Sequence, residues 1–194
     1  MPLDEEALRQ LWKSEPATRP LPAPADLEKA QAKLERTVRF RNLREYVAAG
    51  LVAVVMGSQA LSAPTVPLRL ACLAVVAAVA YVVVKLKRDG GALAAPAPGA
   101  SLAEHLAHHR ASLVRQRDLL RTVPRWYLGP IGAAILAFYA AVAWARWGAV
   151  PPADMLARMA LPFGGTVLFF ALIAWVNRRA ARTLGAKIEA LGDA

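Results

Sequence analysis

Four apolar runs without a charged residue interrupt this chain and dictate what it can fold into. They cover Tyr46 to Leu68 (23 residues), Leu70 to Val84 (15), Trp126 to Ala145 (20) and Met159 to Asn177 (19). A helix needs roughly 20 apolar residues to cross about 30 Å of hydrocarbon. Three runs reach or approach that length. Arg69 and Lys85 flank the second, and long basic side chains reach the interface from such positions. In hydrocarbon every backbone polar group must be satisfied within its own element, so runs of this kind become helices. The expected fold is an all-α membrane protein. Its four transmembrane helices form two hairpins, 46–86 and 124–177, with two cytoplasmic amphipathic helices beside them.

Charge sets the expected orientation. Of the 24 Lys and Arg residues, nine precede the first run, one lies between the first two, eight lie in the central segment, two lie between the last two, and four follow the fourth. The positive-inside rule then places both termini and the central segment in the cytoplasm, in a multi-pass membrane protein. The net charge of +10 needs no nucleic acid to explain it, because anionic headgroups attract juxtamembrane basic residues by about 1 kcal/mol each. Arg41, Arg44, Arg125, Arg178 and Arg179 are the expected headgroup contacts. Tyr46, Tyr81, Trp126, Tyr127 and Trp175 fall at the inner boundary, and Trp144 and Trp147 at the outer one. Their apolar bodies and polar tips suit that level. Met1 to Lys13 carries Asp4, Glu5 and Glu6 and has no apolar core, so it does not read as a cleaved signal peptide. The single cysteine, Cys72, lies mid-span and reads as a small packing residue.

The polar segments divide further. Residues 1–13 read as a short amphipathic helix with Leu8, Leu11 and Trp12 on one face. Too short to be stable alone in water, it gains by docking on a partner or on its own protein. The stretch 14–25 carries Pro16, Pro20, Pro22 and Pro24 and reads as a semi-rigid spacer. A basic helix spans 26–45, with Asp26 as N-cap and a stripe of Leu27, Ala30, Leu34 and Val38, and it runs on into the first span. Residues 87–100 form a flexible linker. Ser101 and Glu104 then make a capping box that opens a second amphipathic helix, 101–123, ending at Pro124. Positions 102, 106, 109, 113, 116 and 120 of that helix space as a heptad seam. Leu102, Leu106, Leu113 and Leu120 occupy it, and His109 and Gln116 interrupt it. The seam predicts contact with another helix, either the first basic helix or a soluble protein. Residues 178–194 form a basic tail. The two halves of the chain repeat one plan, which points to a loose internal duplication.

Catalytic chemistry finds little purchase here. His105, His108 and His109 cluster on one turn, but no cysteine or second histidine group completes a four-ligand site. The cluster therefore reads as a helix face, with no metal and no cofactor expected. No nucleophile–base pair, phosphate-binding glycine loop or HExxH occurs, so an enzyme is not expected. The spans lack titratable residues in their interiors, which disfavours ion-coupled transport. Gly129, Ala133, Ala137 and Ala141 recur every fourth residue on the third span and are the expected close-packed seam.

Three blocks carry a resemblance: LWKSEPA at 11–17, RNLREYVAAG at 41–50 and HRASLVRQRDLLRTVPRWYLGP at 109–130. Together they resemble an uncharacterised family of small bacterial four-span inner-membrane proteins associated with genes for extracytoplasmic-function sigma factors. The resemblance implies holding or releasing a cytoplasmic regulator. The chain departs from zinc-binding anti-sigma proteins, because it has no His-x3-Cys-x2-Cys and no cysteine pair. An anti-sigma-like role would rest on helix contacts by Leu8, Leu11, Trp12, Leu106, Leu113 and Leu120. The expected function is that of a membrane-tethered regulatory or interaction protein binding a soluble cytoplasmic partner such as a sigma factor. The alternatives are an oligomeric transport or permeation component, with Ser58, Gln59 and Thr166 lining a wet path, and a structural membrane protein. Lipid is a partner in every case, self-association is open, and direct nucleic-acid binding is not expected.

Overall fold

The computed structural model of the protein describes residues 24–91, 93, 96 and 99–192. The helix expected over 1–13, with Leu8, Leu11 and Trp12, and most of the Pro-rich segment lie outside the described residues. Among those described, every regular element is helical. In chain order they are α1 (Pro24–Ser62), α2 (Val66–Asp89), α3 (Leu102–Val123), a π-helical turn (Pro124–Leu128), α4 (Gly129–Ala145) and α5 (Pro152–Gly192). Four helical stretches are long and apolar enough to cross a membrane. Leu51, Val54, Leu61, Leu136, Leu161, Leu168 and Phe169 stand exposed on them. A surface of that kind marks contact with lipid or protein rather than water.

Proline, rather than charge, decides where the first two apolar helices part. Pro64 sits in the turn between Ser62 and Val66, and Pro67 lies in the first turn of α2, where its missing N–H costs nothing. The Arg69 guanidinium donates to the Ala63 carbonyl across this turn at 3.2 Å. The second span is therefore not the short run between Arg69 and Lys85. It belongs to a helix of 24 residues, long enough to cross unaided.

Other boundaries move for related reasons. The described part of α1 starts at Pro24, so Asp26 lies within the first turn and is not the N-cap. α2 continues to Asp89, three residues into the stretch expected to be a linker. α3 does begin at its capping box: the Glu104 N–H donates to Ser101 Oγ at 3.3 Å, and the Ser101 N–H to Glu104 Oε2 at 2.7 Å. The Ser101 N–H and hydroxyl, both donating to Glu104 Oε2, hold that carboxyl below the ordinary carboxylate range. Pro124, however, does not end the helical path. The chain widens into the π-turn, the Gly129 N–H closes on the Pro124 carbonyl, and α4 follows directly. A proline is tolerated where the hydrogen-bond register changes, because its absent N–H is not needed there. Pro162 lies inside α5, which starts at Pro152. Residues 178–192 are no loose tail either. They continue α5 and bury Ala181 and Ile188.

α1 packs along α2, α2 along α4, and α3 along α5. Val75, Val79 and Ala134 form one buried cluster between α2 and α4, with Phe138 against it. A second joins Val82 and Leu86 of α2 to Leu119, Val123 and Trp126. α4 and α5 meet mainly through side chains: the Tyr139 and Thr166 hydroxyls lie 3.0 Å apart, and the Phe163 ring stands edge-on to Tyr139. The packed face of α4 is therefore not the expected small-residue stripe. Ala141 is buried, but Gly129, Ala133 and Ala137 are exposed. α4 presents Ala134 and Phe138 to α2, one residue round the helix from that stripe, because the bulkier side chains there fill the space between helices.

Candidate functional site

The basic ends of the helices converge where α2 stops. The last carbonyls of a helix lack intrahelical partners and carry the negative end of its dipole. At α2 they are taken by side chains from two other elements. Arg41 Nη2 and Asn42 Nδ2 of α1 donate to the Gly90 carbonyl at 3.4 and 3.0 Å. Arg115 of α3 donates to the Asp89 and Arg88 carbonyls at 3.3 and 3.4 Å, and Gln116 Nε2 donates to Gly91 at 3.4 Å. Arg41 Nη1 closes the knot on Gln116 Oε1 at 3.2 Å. Burial pulls the Arg41 guanidinium below its usual value, and the Glu45 carboxylate pushes it back up. Gly90 is required here: a Cβ would stand 2.5 Å from the Leu86 carbonyl oxygen, to which the Gly90 N–H itself donates.

One turn nearer the apolar segments, the Tyr127 hydroxyl donates to Glu45 Oε2 at 2.8 Å. Trp126 is buried, stands edge-on to Tyr127, and donates its indole N–H to the Leu119 carbonyl at 3.3 Å. The π-turn thus aims both rings inward. Farther out, Gln31 of α1 bridges the histidines of α3: its Oε1 lies 3.1 Å from His109 Nδ1, and its Nε2 3.5 Å from His108 Nε2. His109 is buried. Burial holds its pKa below the ordinary value, and the neighbouring His108 and Lys187 act in the same direction. Among the described residues, no three His, Cys, Asp or Glu side chains are grouped to hold a metal ion.

Below the knot opens a cleft of about 250 Å³. Leu86, Leu119, Leu120, Val123, Leu172 and Ile173 make its walls, and Arg41, Arg44, Glu45, Tyr127 and Asn177 its polar edge. Apolar walls with a few converging polar groups are the ordinary make-up of a small-ligand site. This one lies at the boundary between the apolar segments and the basic helices, so its chemistry suits an amphiphile.

The sequence-expected residues distribute unevenly over this region. Leu113 is buried, and Leu106 and Leu120 are partly so. The heptad seam is occupied by the chain's own helices, since His109 and Gln116 on it bond to Gln31 and Arg41 of α1. Leu113 is therefore no free docking residue. Arg41 is an internal tie rather than a headgroup contact, because its donors are spent on Asn42, Gln116 and Gly90. Arg44, Arg125, Arg178 and Arg179 are exposed. Arg44 lies over Phe40 at 5.9 Å, and Arg179 over Trp175 at 5.6 Å. Trp126 does not face the boundary, whereas Trp144, Trp147 and Trp175 are well exposed. Sequence reasoning gave no role to Asn42, Glu45 or Arg115. The available signal was a lone acid and an amide among arginines just before an apolar run, where a polar group without a partner would be costly.

No protein-family model, no curated protein and no solved structure matches this chain.

Proposed function

We propose that this is a membrane-tethered regulatory protein of the bacterial inner membrane that presents a helical platform to a soluble cytoplasmic partner. One observation carries the reading. α1, α3 and α5 continue beyond the apolar segments; Arg41 and Asn42 of α1 and Arg115 and Gln116 of α3 tie those two helices to the end of α2, and α5 packs along α3. A platform cross-linked in this way does not swing freely against the membrane. The charge distribution supports a cytoplasmic location for it and for both termini. The proline-rich stretch up to Pro24 then sets the reach of Leu8, Leu11 and Trp12 beyond the platform. The resemblance of three sequence blocks to sigma-factor-associated membrane proteins supports an extracytoplasmic-function sigma factor as the class of partner.

With Leu113 buried, docking falls first to Leu8, Leu11 and Trp12 of the segment 1–13, and then to the partly buried Leu106 and Leu120. The second reading is an oligomeric permeation component. A permeation path would need Ser58, Gln59 and Thr166 to share a wet cavity. Within one chain Ser58 donates back to the Val55 carbonyl, Gln59 is exposed, and Thr166 pairs with Tyr139, so such a cavity would have to form between copies.

The test is copurification of the full-length protein with an extracytoplasmic-function sigma factor encoded beside it, compared with an L8D/W12D variant. The variant is expected to lose the factor while keeping its thermal midpoint in detergent. Equal recovery on both proteins would remove the segment 1–13 as the docking element.

A further inference from the structure

A second groove lies between α3 and α5, lined by Arg117 and Arg121 from one helix and Arg178 and Arg182 from the other. Gly185 and Ala186 line it too, so no bulky side chain from that stretch of α5 fills the space. Like charges gathered from two separate helices repel one another unless an anion sits among them. Internal compensation is sparse. Arg117 binds Asp118 through Nε and Nη2, both at 2.9 Å. Among the described residues no carboxylate lies within ion-pair distance of Arg121, Arg178 or Arg182, and all three are exposed. Glu189 is the one acid on the lining, three helical turns beyond Arg178.

Position and spacing narrow the ligand. Arg178 directly follows the fourth apolar run, and Arg121 precedes Arg125, the residue before the third, by one turn. α3 runs toward the apolar segments and α5 away from them. Arg121 and Arg178 therefore form a level near the headgroups, and Arg117 and Arg182 a level one turn farther out. Four residues of helix separate the levels by about 6 Å. The guanidinium fork matches phosphate oxygens in a bidentate way that an ammonium does not, and all four groups are arginine.

We propose that this groove binds a bisphosphate, one phosphate at each level, with the two phosphorus atoms held apart by a short carbon linker. Two sources offer that chemistry: a lipid whose headgroup holds two phosphates joined through glycerol, and a soluble small bisphosphate.

The experiment uses the full-length protein in phosphatidylcholine nanodiscs. The probes are cardiolipin, phosphatidylglycerol at equal total charge, and soluble propane-1,3-diyl bisphosphate. Binding is read by native mass spectrometry and by the rise in thermal midpoint. An R121Q/R178Q variant is compared with K87Q/R88Q, which removes the same charge outside the groove at the end of another apolar run. The expected result is preference for cardiolipin over phosphatidylglycerol, weakened roughly 10-fold or more in R121Q/R178Q and less than about 2-fold in the control. The same variant pattern with the soluble bisphosphate, and none with cardiolipin, would support the groove and assign the soluble source. Equal binding of phosphatidylglycerol, or equal losses in both variants, would reduce the groove to general surface charge and overturn the proposal. Should R121Q/R178Q fail to fold, the single R182Q substitution replaces it, and unchanged affinity there would equally overturn the site.

Discussion

The two halves of this molecule are held together by different means. In the basic half, α3 buries His109, Ser112, Leu113, Gln116, Leu119 and Val123 along one face, and polar side chains from α1 and α3 reach specific carbonyls of α2. In the apolar half, α4 buries only Ala134 and Ala141, and the most apolar stretch of α5 buries nothing within the chain. Water supplies a hydrophobic drive to the first half that lipid cannot supply to the second. The basic half therefore gains a unique arrangement from directional bonds. The apolar half needs only compatible surfaces and the bilayer around them.

The contrast breaks most readily at Arg41. Arg41→Ala removes the donors that Gln116 and Gly90 share and leaves Glu45 without its cationic neighbour. A loss of about 2–3 kcal/mol is expected, read as a lower thermal midpoint and faster amide exchange at residues 86–91. No change would mean that the knot adds nothing to the basic half. Tyr127→Phe deletes only the bond to Glu45 and should cost about 1 kcal/mol in the same assay.

pH offers a finer probe. The folded-state pKa of His109 is depressed by burial, so the unfolded chain binds more protons in the window just below the ordinary value of 6.5. The contribution is fully present above 6.5 and is lost as pH falls through the folded value. Denaturation of the native protein should grow easier on acidification across that window, and the slope should flatten in His109→Gln. An unchanged slope would show that His109 is not the group behind it. The smallest effect is expected in the apolar half: Leu168→Ala, on an exposed stretch of α5, should stay within about 0.5 kcal/mol. A larger loss would reveal that a protein surface, rather than lipid, covers that face.

Residue by residue, legibility follows the range of the physics involved. The capping box of Ser101 and Glu104 was readable because both partners sit three residues apart. The heptad seam through Leu113 was readable as a packed face, but not what it packs on, because Gln31 and His109 are distant in the chain. The stripe at Gly129, Ala133 and Ala137 misled, since an alanine-rich helix offers several small faces and only the neighbour selects among them. Asn42, Glu45 and Arg115 looked like ordinary flank residues until their partners on other elements were known.

By itself, the sequence settled that the chain is helical, that four stretches suit a bilayer, and that cationic charge gathers at one set of ends. These follow from hydropathy, helical period and counting, which act over a few neighbouring residues. Only the tertiary structure decided which polar side chains close the end of α2, which face of α4 is buried, and which arginines share a groove. Those choices depend on groups 25 to 82 residues apart, and chain-local rules say nothing about which of them meet.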